Sequence, residues 1–498
     1  MLFTSLTFLF AYLPIVLVGY FVLGRFHRVA AAGWLAAASV FFYGYWSVKY
    51  VPLLLGSILF NYGIGYAISV RRDRSPWARR ALIFGVIADL GLLAYYKYAN
   101  FFLLQVINPL GGHAQALNII LPIGISFFTF TQIAFLVDVW KGKAREFNFV
   151  RYLLFVTWFP HLIAGPVLHH GQMMPQFADA KIYRIRSRNL VIGMVLFAIG
   201  LAKKLLIADP ISAYADPVFE AAAAGDAIGA LMAWTGALAY TFQIYFDFSG
   251  YSDMAVGLSM LFGVRLPINF NSPYKATNII EFWRRWHMTL SQFLRDYLYI
   301  PLGGNQHGQA RRYFNLLATM VLGGLWHGAA WTFVIWGAIH GALLCVNHGF
   351  RWAWMRLGIA GRTPRCIATA AGVAVTFLSV VVAWVYFRAD TVAAANSVLL
   401  SMVSSTDSVE WTTVFRDKSA MSFAGYASLS FLIVWVFPNA YEAIDFVENR
   451  MTVGGEEGRR VGVMLTVGAA TITVGLIAAS LLSTFGTNVA SPFLYFQF

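Results

Sequence analysis

The sequence predicts an all-α polytopic integral membrane protein, and three observations carry that prediction. Charged residues make up 12% of the chain, about half the ~25% of a soluble domain. Hydrophobic residues make up 59%, and the mean hydropathy is +0.65. Apolar runs long enough to cross a bilayer recur along the chain, with basic clusters standing between them.

The elements follow in order. SLTFLFAYLPIVLVGYFVLG is read as a retained first helix, because it is too long for a signal-peptide core and lacks both a basic flank and a cleavage site. The next loop, GRFHR, is basic and therefore cytoplasmic, which puts the N-terminus outside. Helices are expected at 29–47 and 50–70, the latter ending at RRDRSPWARR. A fourth at 80–104 leads out to the turn NPLGGHAQ, and a fifth returns to KGKAR. The run FVRYLLFVTWFPHLIAGPVLHH (149–170) has basic segments on both sides and contains Pro160, His161, Gly165 and Pro166. It is expected to be broken or re-entrant, which lipid tolerates only where the freed backbone is buried or lines a cavity.

Beyond it, a helix at 189–209 is expected to reach an acidic outer loop, ISAYADPVFEAAAAGDA (211–226). Segment 313–350 has arginines at both ends, which predicts a hairpin with VLGGLWHGAAW at its turn. Gly323, Gly324 and Gly328 permit close helix approach there. The roughly 14 residues of the first arm span about 21 Å, short of a ~30 Å hydrocarbon core, which places the bend inside the bilayer. Later helices are expected at 366–387, 422–438 and 462–484. The loop 449–460 reads as cytoplasmic and the C-terminus as outside, so both termini are expected in the periplasm. The expectation is roughly 11 to 13 membrane segments in one domain, 1–498, with a catalytic core at about 100–390.

The formal charge of +14 does not point to nucleic acid. The excess sits in loops such as KGKAR and KIYRIRSR, where the positive-inside rule accounts for it. Cys345 and Cys366 lie in no CxxC or Cys/His cluster, so neither a disulfide framework nor a metal site is expected. No GxSxG, P-loop, HExxH or dinucleotide fingerprint is present.

The central third concentrates polar residues in TFQIYFDFSGYSDMAVG (241–257) and in LPINFNSPYKATNIIEFWRRWHMTLSQFLRDYLYIPLGG (266–304). Charge inside a bilayer is costly, so Asp247, Asp253, Glu281, Arg284, Arg285, His287, Arg295 and Asp296 require partners or an interfacial setting. His327 stands at the hairpin bend beside Trp326 and Gly328. A neutral imidazole donates and accepts hydrogen bonds, and its unperturbed pKa of about 6.5 suits a general base. His287 falls in what reads as a polar, cation-rich helix, and His340 reads as structural.

Several motifs together resemble the membrane-bound O-acyltransferases, and specifically their bacterial alginate O-acetyltransferase branch. They are MLFTSLTFLFAYLP, LPIGISFFTFTQIAFLVDVWKG, YFDFSGYSDMAVG, FWRRWHMTLSQFLRDYLYIPLGGN, LGGLWHGAAWTFVIWGAIHG, WVYFRAD and SPFLYFQF. The resemblance runs the length of the chain. It implies a fold around a central funnel, an essential histidine at His327 and a second at His287. It also implies a cytoplasmic thioester donor, acetyl-CoA, with no permanently bound cofactor and no metal. The acceptor would be an exported polysaccharide: alginate first, then cellulose, another exopolysaccharide or a cell-wall polymer. Transfer would cross the bacterial inner membrane, directly or through an extracytoplasmic acetyltransferase partner. Trp283, Arg284, Arg285, Trp326, Asp247 and Asp253 are candidate substrate- or donor-binding residues. Arg284, Arg285, Lys203 and Lys204 are candidate cations for the phosphates of coenzyme A. A transporter or an export-complex scaffold is the competing class, since broken segments and intramembrane charge fit those too.

Overall fold

Every regular element among the described residues is helical. The computed structural model describes residues 1–71, 75–144, 147–357, 364–404, 418–451, 468, 470–483 and 492–494. Most of the 449–460 loop and the last four residues, for which topology was read from sequence, lie outside them. Seven helical stretches are long and apolar enough to cross a membrane: Phe8–Phe26, Arg28–Trp46, Val48–Val70, Pro76–Leu110, Ser187–Ala224, Trp331–Arg356 and Arg365–Arg388. A bent pair, Met421–Trp435 and Ala440–Phe446, adds a broken span, and shorter apolar helices occur at Ile125–Trp140, Val392–Val403 and Ala470–Ser483.

The first four helices are α1 (Leu13–Phe26), α2 (Arg28–Trp46), α3 (Val51–Val70) and α4 (Pro76–Leu93). They keep Ile15, Val18, Val22, Leu59 and Ile87 on the outside, as a lipid-facing surface requires. A π-helical turn, Ala94–Tyr98, joins α4 to the short α5 (Ala99–Phe102). An extra residue in a helical turn re-aims the side chains around it, and this turn carries Lys97. Helix α6 (Ile125–Trp140) is buried along most of its length. The expected break follows. α7 (Phe149–Thr157) stops, residues 158–168 run irregularly and wholly buried, and α8 (His170–Ala178) begins.

α9 (Ser187–Ala202) continues through a π-helical turn, Lys203–Ala208, into α10 (Asp209–Ala224). The outer loop expected at 211–226 is therefore a helix. Its alanines favour one, Pro210 sits in the first turn, and Gly225 ends it at φ +83°. α11 (Ala230–Leu261) is a long central helix packed along α9 and α10. A Cβ at Gly250 would lie 2.7 Å from Gly200 O, so these two backbones touch only because both positions are glycine.

The stretch FWRRWHMTLSQFLRD is not one helix. It divides into α12 (Ile279–Arg285) and α13 (Met288–Leu294), and His287 sits at the break with φ +43°. The hairpin is α14 (Gly308–His327) and α15 (Trp331–Arg356), with His327 the last residue of its first arm. Its arms meet through glycines: a Cβ on Gly324 would overlap Phe333 O, and one on Gly337 would overlap Met320 O. α14 starts earlier than expected and, at 20 residues, is about 30 Å long. Its length therefore no longer sets the depth of the bend. Packing does, because α12 and α16 (Arg365–Arg388) lie against α15 and leave His327 only 4% exposed. α17 (Val392–Val403), α18 (Lys418–Trp435) and α19 (Ala440–Met451) follow, and the apolar helix Ala470–Ser483 comes after them.

Candidate active site

Two breaks in helical structure bring two histidines together. His327 ends α14 and His287 interrupts α12–α13, and their ring centroids lie 6.3 Å apart. Both are buried. Aromatic edges enclose them: Trp336 and Phe387 each lie 5.2 Å from the His327 ring, and Phe248 lies 4.8 Å from that of His287. Trp326 stacks on Phe130 at 5.2 Å and forms a wall. Phe387 belongs to the WVYFRAD motif, whose Arg388 is anchored on Asp216 at 2.9 Å.

Asn269 determines the state of His287. Met288 N–H donates to Asn269 O at 2.9 Å. Thr289 N–H and Thr289 Oγ1–H donate to Asn269 Oδ1 at 3.3 and 2.9 Å. His287 Nδ1 lies 3.1 Å from the same oxygen. A backbone N–H can only donate, so the atom beside it is the amide oxygen and not the nitrogen. Nδ1 therefore carries the hydrogen, and Nε2 of the neutral ring holds a lone pair. Nε2 has no hydrogen-bond partner among the described residues. His287 is thus built to accept a hydrogen bond, and the neutral ring has no donor left for an oxyanion.

The end of α14 is held from a distance. Lys97 Nζ donates to Trp326 O at 2.6 Å and to His327 O at 2.9 Å. Tyr98 Oη donates to Leu325 O at 2.7 Å. His340 lies on α15, accepts from Trp283 Nε1–H at 3.3 Å and contacts Trp336, which fits its structural reading.

Two cavities lie near the pair, the narrow one reaching His327 and the wide one lined by the residues that follow His287. A narrow one, with about 10 Å³ of room, about what one water needs, is lined by His327, Asp247, Phe248, Trp286, Trp384 and Phe493, among others. Leu494 closes it, its N–H donating to Asp247 Oδ2 at 3.0 Å. The other has a volume of about 820 Å³ and is lined by Trp283, Met288 and Thr289 beside His287, and by Arg284, Arg295, Arg312 and His348 further out. Arg312 is near the start of α14 and His348 is on the last turns of α15, so this cavity reaches the open end of the hairpin. Arg312 Nη2 rests 2.8 Å from His348 Nε2.

The candidate binding residues divide accordingly. Trp283 and Arg284 line the wide cavity, and Asp247 lines the narrow one. Arg285 is tied to Glu281 at 2.7 Å. Burial acts to raise the Glu281 carboxyl, but hydrogen bonds from Thr277 and Arg285 outweigh it and hold it below the usual range. Asp253 lines neither cavity and pairs with Lys203 at 2.6 Å. Lys204 pairs with Asp247 and Asp209. The two lysines thus neutralise buried carboxylates and are not a mouth for coenzyme A phosphates. Arg295, paired with Asp296 at 2.7 Å, and Arg312 line the wide cavity instead. Sequence reading missed Arg312, Lys97 and Asn269. Arg312 carried a signal as the arginine that starts the hairpin, whereas the other two show their part only through contacts distant in sequence. No cluster of His, Cys, Asp or Glu among the described residues is arranged to hold a metal ion.

Comparison with known proteins gives concordant results. The model of the MBOAT, membrane-bound O-acyltransferase family matches residues 125–387. A peptidoglycan O-acetyltransferase of Helicobacter pylori is 42% identical over 467 residues, 86% of this chain and 87% of that protein. Proteins named "Probable alginate O-acetylase AlgI" are 44% identical in Pseudomonas aeruginosa, over 81% of this chain and 75% of that one, and 38% identical in Azotobacter vinelandii over the full length of both. The matched region contains both histidines and both cavity-lining helix pairs, and it ends at Phe387, one residue before the Arg388 anchor. The chain therefore belongs to the membrane-bound O-acyltransferase family, and it is a multi-pass membrane enzyme that transfers an acyl group rather than a transporter or a scaffold.

Proposed function

We propose that this enzyme takes an acetyl group from acetyl-CoA at the cytoplasmic face of a bacterial inner membrane and passes it across for O-acetylation of an exported polysaccharide. Alginate is the first choice of acceptor, after the relatives of that name. Peptidoglycan, cellulose and other secreted polymers are the alternatives, and a relative named for peptidoglycan is of equal similarity. One observation supports this reading above the rest: a narrow apolar cavity reaches His327, and a wide, arginine-rimmed cavity is lined by Met288 and Thr289, the two residues that follow His287.

Arg284, Arg295 and Arg312 suit the phosphates of coenzyme A, since guanidinium matches phosphate geometry. The slender thioester arm then runs inward past Trp283 and Met288. His327 acts as general base on the acceptor hydroxyl. Its O–H bond breaks as a C–O bond forms at the thioester carbonyl, the C–S bond breaks, and the proton passes to the departing thiolate. His287 orients the reacting group by accepting a hydrogen bond at Nε2. An exported glycan is large, which favours a single hydroxyl on an extracytoplasmic partner protein as the first acceptor.

The test is deletion of the gene, followed by measurement of ester-linked acetate on alginate, cellulose and peptidoglycan. Acetate should fall on one polymer, return with the wild-type gene and stay absent with H327A. Unchanged acetate on all secreted and wall polymers would refute the proposal.

A further inference from the structure

The last carbonyls of a helix have no partner within it, and they form the negative end of its dipole. In α14 those carbonyls belong to Leu325, Trp326 and His327, so the strain of leaving them bare would fall on the catalytic residue itself. In a bilayer no solvent makes up the deficit. Gly328 N–H closes only one long bond, to Gly324 O at 3.4 Å. The other three carbonyls are met by Lys97 and Tyr98, about 230 residues earlier in sequence.

Two features make this more than ordinary packing. A neutral donor such as serine or asparagine could satisfy a carbonyl, yet the position holds a lysine, whose ionisable amine is expensive to bury within a membrane span. No carboxylate pairs with Lys97 among the described residues. The π-helical turn Ala94–Tyr98 is also a local departure from α-helix, and it is where Lys97 and Tyr98, adjacent in sequence, reach three consecutive carbonyls.

We propose that Lys97 is a positioning residue for acyl transfer: with Tyr98 it fixes the carbonyl end of α14 and thereby the place of the His327 ring beside His287. This rests on the reading of His327 as the residue at which transfer occurs. Lys97 binds no donor and removes no proton. Its cation spans the Trp326 and His327 carbonyls, so the backbone that carries the imidazole cannot rotate away as the substrates enter.

The experiment uses membranes containing the full-length protein, radiolabelled acetyl-CoA, and label recovered as ester-linked acetate in the polymer that loses acetate when the gene is deleted. Rates are normalised to enzyme by immunoblot, and folding is followed by thermal unfolding of the detergent-extracted protein. K97M should lower the maximal rate about 100-fold, the scale of a small misplacement of a catalytic group, with the KM for acetyl-CoA within about threefold of wild type. K97R, which keeps the charge and two donors, should restore most of the rate. Y98F removes one of the three bonds and should lose less than K97M. If K97M does not fold, K97Q replaces it, with a lowered maximal rate again expected. A folded K97M or K97Q with wild-type rate would overturn the proposal, as would a change confined to KM. H327A measured in parallel separates the two claims: activity there refutes the site, whereas activity only in the Lys97 variants refutes the positioning role.

Discussion

A hydrogen-bond inventory defines the chemistry open to His287. Asn269 Oδ1 receives the Thr289 N–H, the Thr289 hydroxyl and the His287 Nδ1–H, so the ring is held as one tautomer. The Thr289 hydroxyl can give its proton to Asn269 because it accepts from Val167 N–H at 2.9 Å. The tautomer is therefore anchored to the backbone of the broken segment 158–168. N269D keeps an acceptor at Oδ1 and should retain within about tenfold of wild-type rate. N269L deletes it and should cost about 10²–10⁴-fold, the range for losing acid–base function. The measurement is maximal acetyl transfer per enzyme, and equal rates for the two variants would show that the amide oxygen does not act through His287.

Among the elements, the hairpin α14–α15 does most to divide the two sides of the reaction. Its closed end carries His327, while its open end carries Arg312 and His348. Fifteen residues of helix separate Arg312 from His327, about 22 Å at 1.5 Å per residue. A phosphate bound at Arg312 thus belongs to the far end of the donor and not to its reacting carbon. A hydrogen bond to a charged group contributes about 1.5–3 kcal/mol, so R312Q should raise the KM for acetyl-CoA about 10- to 100-fold with little change in maximal rate. A loss of rate at unchanged KM would move Arg312 out of the donor site. The hairpin was legible in sequence because arginines flank it and glycines mark where its arms touch. The broken segment 149–170 was legible for a similar reason, its prolines and glycines being local signals. The break at His287 was not, since FWRRWHMTLSQFLRD has helical periodicity and only Asn269, eighteen residues earlier, supplies the cap that interrupts it. The 211–226 helix was misread because acidic residues and prolines resemble a loop when their packing against α11 is unseen.

On the scale of the whole molecule, charge is sorted by depth. Lys203 and Lys204, from one π-helical turn, neutralise Asp253, Asp247 and Asp209 inside the helical core, while Arg284, Arg295 and Arg312 line the wide cavity. Two of the lysines' partners, Asp247 and Asp253, lie 43 to 50 residues on in α11, so sequence alone could show that intramembrane charge must pair but not with what. Phe493 and Leu494 line the narrow cavity beside His327, which brings the chain's last described residues to the candidate site. The central claim is that acetyl-CoA, entering from the cytoplasmic face, delivers its acetyl group at His327. The most direct measurement supplies radiolabelled acetyl-CoA to sealed membrane vesicles of both orientations. Inverted vesicles should transfer label to acceptor in their lumen, right-side-out vesicles should not, and H327A should reduce the transfer at least 100-fold. Equal transfer from both orientations, or wild-type transfer by H327A, would contradict the account.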